Sequence, residues 1–167
     1  MEHFGCRVHV FDPKLQELGH HKHSPNITFH LLSIGDQDLV TVVGDQLVQC
    51  RTLLSVYRML SAEHGNAKVI DFLKIESHFD NDLAIMQNLL RSGILSKVRQ
   101  MEIVVRFKGS VSAQQMRLKT KTIKHLDDAG FVRFSSVPRG NRIHFSEFEF
   151  FDFGEFQLSW FNGRLAT

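Results

Sequence analysis

The tightest constraint on this chain is its alternation of short apolar runs with segments of helical spacing. Val69 to Ile75 is an apolar run of strand length. Leu83, Met86, Leu89 and Leu90 follow it, returning every three or four residues so that they share one helical face. Met101 to Phe107 is a second near-continuous apolar run, the pattern of a strand covered on both faces. Ser112 to Ala129 reads as another helix, ended by Gly130, and Phe131 to Val137 as the next strand. Parallel neighbours need crossover connections, so strand–helix repetition predicts an α/β fold on a mostly parallel sheet. With 167 residues, 43% of them hydrophobic, the chain can bury a sizeable core, and one domain over 1–167 is expected.

The first half is less regular. Arg7 to Phe11 is a strand, and Pro13 allows a helix start through Lys14, Leu15 and Leu18. Gly19 to Asn26 is a loop broken by Pro25, and Ile27 to Ile34 a strand closed by Gly35-Asp36. Leu39 to Val43 is a short edge strand. Arg51 to Glu63 is a helix with Leu53, Leu54, Val56, Tyr57 and Leu60 at helical spacing, ended by Gly65-Asn66. Asp80 or Asn81 caps the helix that follows Ile75. After a turn at Pro138-Arg139-Gly140-Asn141, Ile143 to Phe161 holds two strands that meet near Asp152-Phe153-Gly154. The last connection is too short for a crossover helix, which predicts an antiparallel C-terminal strand.

The run Gly5 to Pro13 is a short strand that ends in Asp12 and a proline. In a doubly wound sheet, an acidic residue at the tip of the second strand is the usual partner of a ribose hydroxyl pair. Only four residues precede this run, and no G-x-G-x-x-G follows a strand anywhere. Further segments are Asn26 to His30 with Gly35-Asp36, Arg51-Thr52-Leu53, and Ile70-Asp71-Phe72-Leu73-Lys74-Ile75-Glu76. Leu126 to Phe131 and Gln157 to Asn162 complete the series. In this order and spacing the chain resembles the FkbM-related, methyltransferase-like family, which has the class I S-adenosylmethionine-dependent methyltransferase fold. The resemblance implies a Rossmann-like, mostly parallel sheet with an antiparallel C-terminal strand. It also implies S-adenosylmethionine as cofactor and an O- or N-methyl acceptor. By this resemblance Asp12 holds the cofactor ribose, Asp36 lines the adenine end, and Glu76 sits at the tip of the central strand facing the ligand crevice. A carboxylate suits the ribose because it accepts from both vicinal hydroxyls at once.

The departures from the family carry weight of their own. Where the family commonly reads D-x-E-G, this chain has Glu76-Ser77-His78-Phe79, and a Phe denies the close backbone approach that a Gly allows. Where the family often shows E-x-H, the matching positions are Val104 and Arg106. These changes, with the absent Gly-rich turn, support an alternative: a catalytically inactive relative that binds a partner. The family's first strand, expected between the strands of Val8 and Ile70, is also missing. Either the chain is N-terminally truncated relative to a longer protein, the favoured reading, or those two strands pair directly.

Other clusters point to bland roles. His20-His21-x-His23 lies on a short loop with no Cys or acidic pattern to complete a tetrahedral zinc set, so no metal is expected there. Asp80 and Asp82 fit helix capping and dipole complementation, whereas Glu76 and His78 are placed for proton transfer. Arg117, Lys119, Lys121 and Lys124 fall mostly outside the apolar face of their helix and read as solvated; with a net charge of +2, no nucleic acid is favoured. Phe148, Phe150, Phe151, Phe153 and Phe156 alternate with acids as strand residues do. Cys6 and Cys50 are expected to be buried free thiols, and no apolar run reaches membrane-spanning length.

Overall fold

The computed structural model describes residues 5–14, 21–43, 45–65, 68–76, 81–107, 112–139 and 154–165, with the side chains of 21–23 and 43 left aside. In chain order these form β1 (Val8–Phe11), β2 (His21–Ser24), β3 (Ile27–His30), β4 (Ser33–Ile34), β5 (Leu39–Val43), β6 (Gln46–Arg51) and α1 (Leu53–His64). Then come β7 (Ile70–Ile75), α2 (Asp82–Ser92), a 3-10 turn (Ile94–Lys97), β8 (Val98–Phe107), α3 (Ala113–Asp128), β9 (Phe131–Arg139) and β10 (Gly154–Asn162).

The helix boundaries follow from local chemistry. Thr52 caps α1 by accepting from Ser55 N at 3.2 Å, and the Asp38 carboxylate accepts from Thr52 N at 2.7 Å and from the Ser55 hydroxyl at 2.5 Å. Ser112 and Gln115 form a reciprocal capping box that starts α3. Asn81 occupies the N-cap position of α2 without a side-chain cap bond, and Gly93 ends that helix in the left-handed region at φ +74°.

The architecture is mixed α/β, and in place of the expected single, mostly parallel sheet the described residues form three mixed ones. Their orders are β1-β3-β2, β4-β6-β5 and β7-β8-β10-β9. Among the described residues, parallel pairing is confined to β1 with β3, β4 with β6 and β7 with β8; the other pairs are antiparallel. The reason is connection length. β2 and β3 are separated by two residues, and so are β5 and β6, and links that short permit only antiparallel neighbours. The closing strand β10 is antiparallel, as expected, and lies between β8 and β9. Among the described residues β1 pairs only with β3 and β7 only with β8, so the strands of Val8 and Ile70 do not join.

Several local expectations shift. His21 to Ser24, read as loop, is a strand antiparallel to β3. The run from Ile27 to Ile34 breaks after His30, where Leu32 N donates to the His30 carbonyl at 2.9 Å, and its two halves enter different sheets. Strand β6 has no counterpart in the sequence reading. The expected helix after Pro13 and the strand before Asp152 lie outside the described residues beyond Lys14 and between 140 and 153. Cys6 is exposed and Cys50 half-buried, so neither is the buried thiol expected, and neither is in a disulfide.

One face of the four-stranded sheet carries the core. Leu73, Ile75, Met101, Ile103, Val105, Leu158 and Trp160 pack with Leu53 of α1, Ile85, Met86 and Leu89 of α2, and Ile123 and Leu126 of α3. All three helices thus serve one apolar cluster. Asn162, buried at its edge, donates through Nδ2 to the carbonyls of Leu95 and Val98 at 3.2 and 3.1 Å, fixing β10 to the turn before β8. The alternate residues point to the other face. There Lys74 pairs with Glu102 at 3.0 Å and Arg106 with Glu155 at 2.6 Å, while Phe72 and Phe134 stay more than half exposed. No helix among the described residues is long and apolar enough to cross a membrane.

Candidate functional site

The three carboxylates picked out by sequence share one structural property. Asp12 directly follows β1, Asp36 stands two residues past β4, and Glu76 directly follows β7. Each of these strands has a parallel partner, and ligands of open α/β sheets bind beyond the carboxyl ends of such strands.

Their immediate environments differ. Asp12 is half-buried, and its Oδ1 accepts from Lys14 N at 2.8 Å in a turn that Pro13 favours. Its own N–H donates to the His30 carbonyl at 3.2 Å, extending the β1–β3 ladder by one bond. The Asp36 carbonyl accepts from Asn88 of α2 at 2.9 Å, which ties the second sheet to the helical layer. Burial pushes the neighbouring Cys50 thiol up from its usual pKa, and the Asp36 charge adds to that rise. Glu76 is ion-paired with Arg139 Nη1 at 2.9 Å, and that hydrogen bond and charge raise the Arg139 pKa further. No hydrogen bond or ion pair among the described residues joins any two of Asp12, Asp36 and Glu76. His78 and Asp80 lie outside the described residues. Val104, at a position the family resemblance marks for chemistry, is fully buried, and Arg106 is engaged with Glu155.

Two constellations were not foreseen. The first is a buried ion pair. Lys119, expected to be solvated, is 6% exposed, and Asp82, expected to serve the helix dipole, is 1% exposed. The Lys119 ammonium donates to both Asp82 oxygens at 2.9 Å and to the Arg106 carbonyl at 2.5 Å. Asp82 also accepts from Arg106 N and from Leu83 N, each at 2.9 Å. The pair therefore locks α2, α3 and the end of β8 together. Every acceptor and donor in it is used internally, which marks it as architecture rather than a ligand site.

The second is a row of imidazoles. Parallel pairing sets Phe11 opposite His30, which brings His9 and His30 onto the same side of the β1–β3 ladder. His9 Nδ1 lies 3.0 Å from His30 Nε2, and His9 Nε2 lies 3.0 Å from Nε2 of His64, the last residue of α1. His30 stacks on Phe11 with ring centroids 4.8 Å apart. Burial holds the His9 pKa below its usual 6.5; His30 and His64 lower it further, as does Arg7, while Glu63 opposes them. These histidines are 21 and 55 residues apart in sequence, so no local spacing announces them. The neighbouring His21 and His23, which do stand close in sequence, fall on β2 with side chains outside those described.

No family model matches this chain, and searches of curated proteins and of solved structures found no match.

Proposed function

We propose that the chain is a methyltransferase-like α/β domain that takes S-adenosylmethionine beyond the carboxyl ends of its parallel strand pairs. The observation that carries this reading is the shared placement of Asp12, Asp36 and Glu76 past the ends of β1, β4 and β7. The antiparallel strand β10, inserted between β8 and β9, agrees with the closing strand that the family resemblance implies. The donor set fits the ribose portion of the cofactor. Asp12 uses one carboxylate oxygen on Lys14 N, and its other oxygen has no partner among the described residues, so it can accept from a hydroxyl. By the family resemblance Asp36 would flank the adenine. When bound, the cofactor supplies an electrophilic methyl group; the protein's share is to hold and orient.

A second reading is a non-catalytic relative that binds a partner. It is favoured by the ion pair between Glu76 and Arg139, which occupies the carboxylate that directly follows β7. Exposed Phe72 and Phe134 on the sheet's open face support it too.

Calorimetric titration of S-adenosylmethionine into the full chain and into Asp12→Ala separates the two. Micromolar binding, weakened at least tenfold in Asp12→Ala, supports the first reading. Absence of heat and of any thermal shift in a folded chain at millimolar cofactor overturns it and leaves the second.

A further inference from the structure

The imidazoles of His9 and His64 and the carboxylate of Glu63 converge where β1 meets the last turn of α1, and we propose that they form a binding site for a divalent transition metal of the zinc class. One ligand atom from each of the three lies within 4.8 Å of the others. In a tetrahedral site with metal–nitrogen bonds of about 2.0–2.1 Å, two imidazole nitrogens stand roughly 3.3 Å apart. The His9 and His64 Nε2 atoms are 3.0 Å apart, so an ion needs only a few tenths of an ångström of opening. Two nitrogens and one oxygen suit zinc and its neighbours rather than calcium or magnesium, which prefer oxygen alone. Three protein ligands leave the fourth position to water.

The surroundings supply what such a site needs beyond its ligands. His9 Nδ1 faces His30 Nε2 at 3.0 Å. Donation from Nδ1 to His30 fixes the tautomer that leaves the lone pair on Nε2, aimed at His64. The stack of His30 on Phe11 holds that outer ring in place. Arg7, the nearby cation, donates to the Glu63 carbonyl at 3.2 Å, an arrangement that leaves the carboxylate to the ion. Glu63 is exposed and gives an entry path from solvent. The competing account is a metal-free relay in which each imidazole donates to the next, and the two differ in what Glu63 does. A relay has no use for its carboxylate.

The test uses the tag-free full chain with cobalt(II) and zinc(II) as probes. The expected result is one cobalt per chain, with the visible absorption of a four-coordinate ion that zinc bleaches. Affinity should fall about 10–100-fold in His30→Gln, the range for loss of an outer partner, and at least as far in His64→Gln and Glu63→Gln. His125→Gln, on the exposed side of α3, should bind as the unchanged chain does. Circular dichroism checks the fold of each variant, and exposed Glu63 can be replaced without touching the core. Binding no tighter than millimolar, or affinity unchanged from the parent chain in folded Glu63→Gln or His64→Gln, overturns the proposal. So does binding that is lost only when His21 and His23 are replaced.

Discussion

Replacing Lys119 by Met removes the ammonium that answers a carboxylate 1% exposed. Three hydrogen bonds go with it, two to Asp82 and one to the Arg106 carbonyl. Asp82 is left with the backbone donors of Arg106 and Leu83, which do not neutralise its charge. Breaking a buried pair by taking one partner costs about 3–5 kcal/mol. At roughly 2–4 °C per kcal/mol for a chain of this size, the melting temperature should fall by about 6–20 °C. Trp160 is the single tryptophan and is fully buried in the core, so its fluorescence during urea unfolding reports the loss directly. Lys121→Met, two residues along on the exposed side of α3, should stay within about 0.5 kcal/mol of the unchanged chain. The double replacement Asp82→Leu with Lys119→Met should recover part of the loss. It removes the stranded charge and takes the Asp82 acceptor away from the Arg106 and Leu83 N–H groups, at about 1–3 kcal/mol. A Lys119→Met chain that loses no more than Lys121→Met, or a double variant weaker than the sum of its singles, would refute the reasoning.

Three further outcomes follow from the same structure. Asn162→Ala strips two buried carbonyls, those of Leu95 and Val98, of their donor and should cost about 1–3 kcal/mol in urea unfolding. Gly93→Ala forces an L side chain to φ +74° in open space, so strain alone should cost about 1–2 kcal/mol with no change in the near-ultraviolet spectrum of the core. Hydrogen bonds from the Ser55 hydroxyl, then the Thr52 N–H, hold the Asp38 carboxyl below its usual 3.8. Its contribution is therefore present above about pH 4 and lost as pH falls through the folded-state value. Asp38→Asn should be the less stable chain at neutral pH, and urea midpoints of the two should converge as pH falls below the folded-state value.

Helices were the legible part of this sequence, because their signals are local. The Leu53–His64, Asp82–Ser92 and Ala113–Asp128 segments each carry apolar spacing and a glycine at or just past the C-terminus. Strands β7, β8 and β9 were legible in outline, β8 as a near-continuous apolar run. Strand β6 was not, since only Val48 of its six residues is buried and its sequence shows no clean alternation. Strand β2 is written in polar residues and exists because β3 supplies a backbone ladder for it. The buried charges were legible in position but not in role. Asp82 stands three, four and seven residues before Ile85, Met86 and Leu89, and Lys119 stands in the same relation to Thr122, Ile123 and Leu126. Each leads the buried stripe of its helix. Reading charge as exposure hid a pair that the spacing already placed inward.

The candidate carboxylates divide along the same physical line. That Asp12, Asp36 and Glu76 would follow strands was a local inference, since each ends an apolar run. Where one strand end stands relative to another is set by sheet order, and sheet order is a contest between distant edges. In this chain β1 and β7 lie in different sheets, so Asp12 and Glu76 belong to separate ladders. The histidine row obeys the reverse logic. His9 and His30 meet because the parallel register of β1 on β3 sets Phe11 against His30, and His64 joins because α1 ends beside them. A one-residue slip of that register would turn His9 to the opposite face and break both contacts. The register of two four-residue strands thus decides whether three imidazoles meet at all, which is why the cluster has structural meaning and no sequence signature.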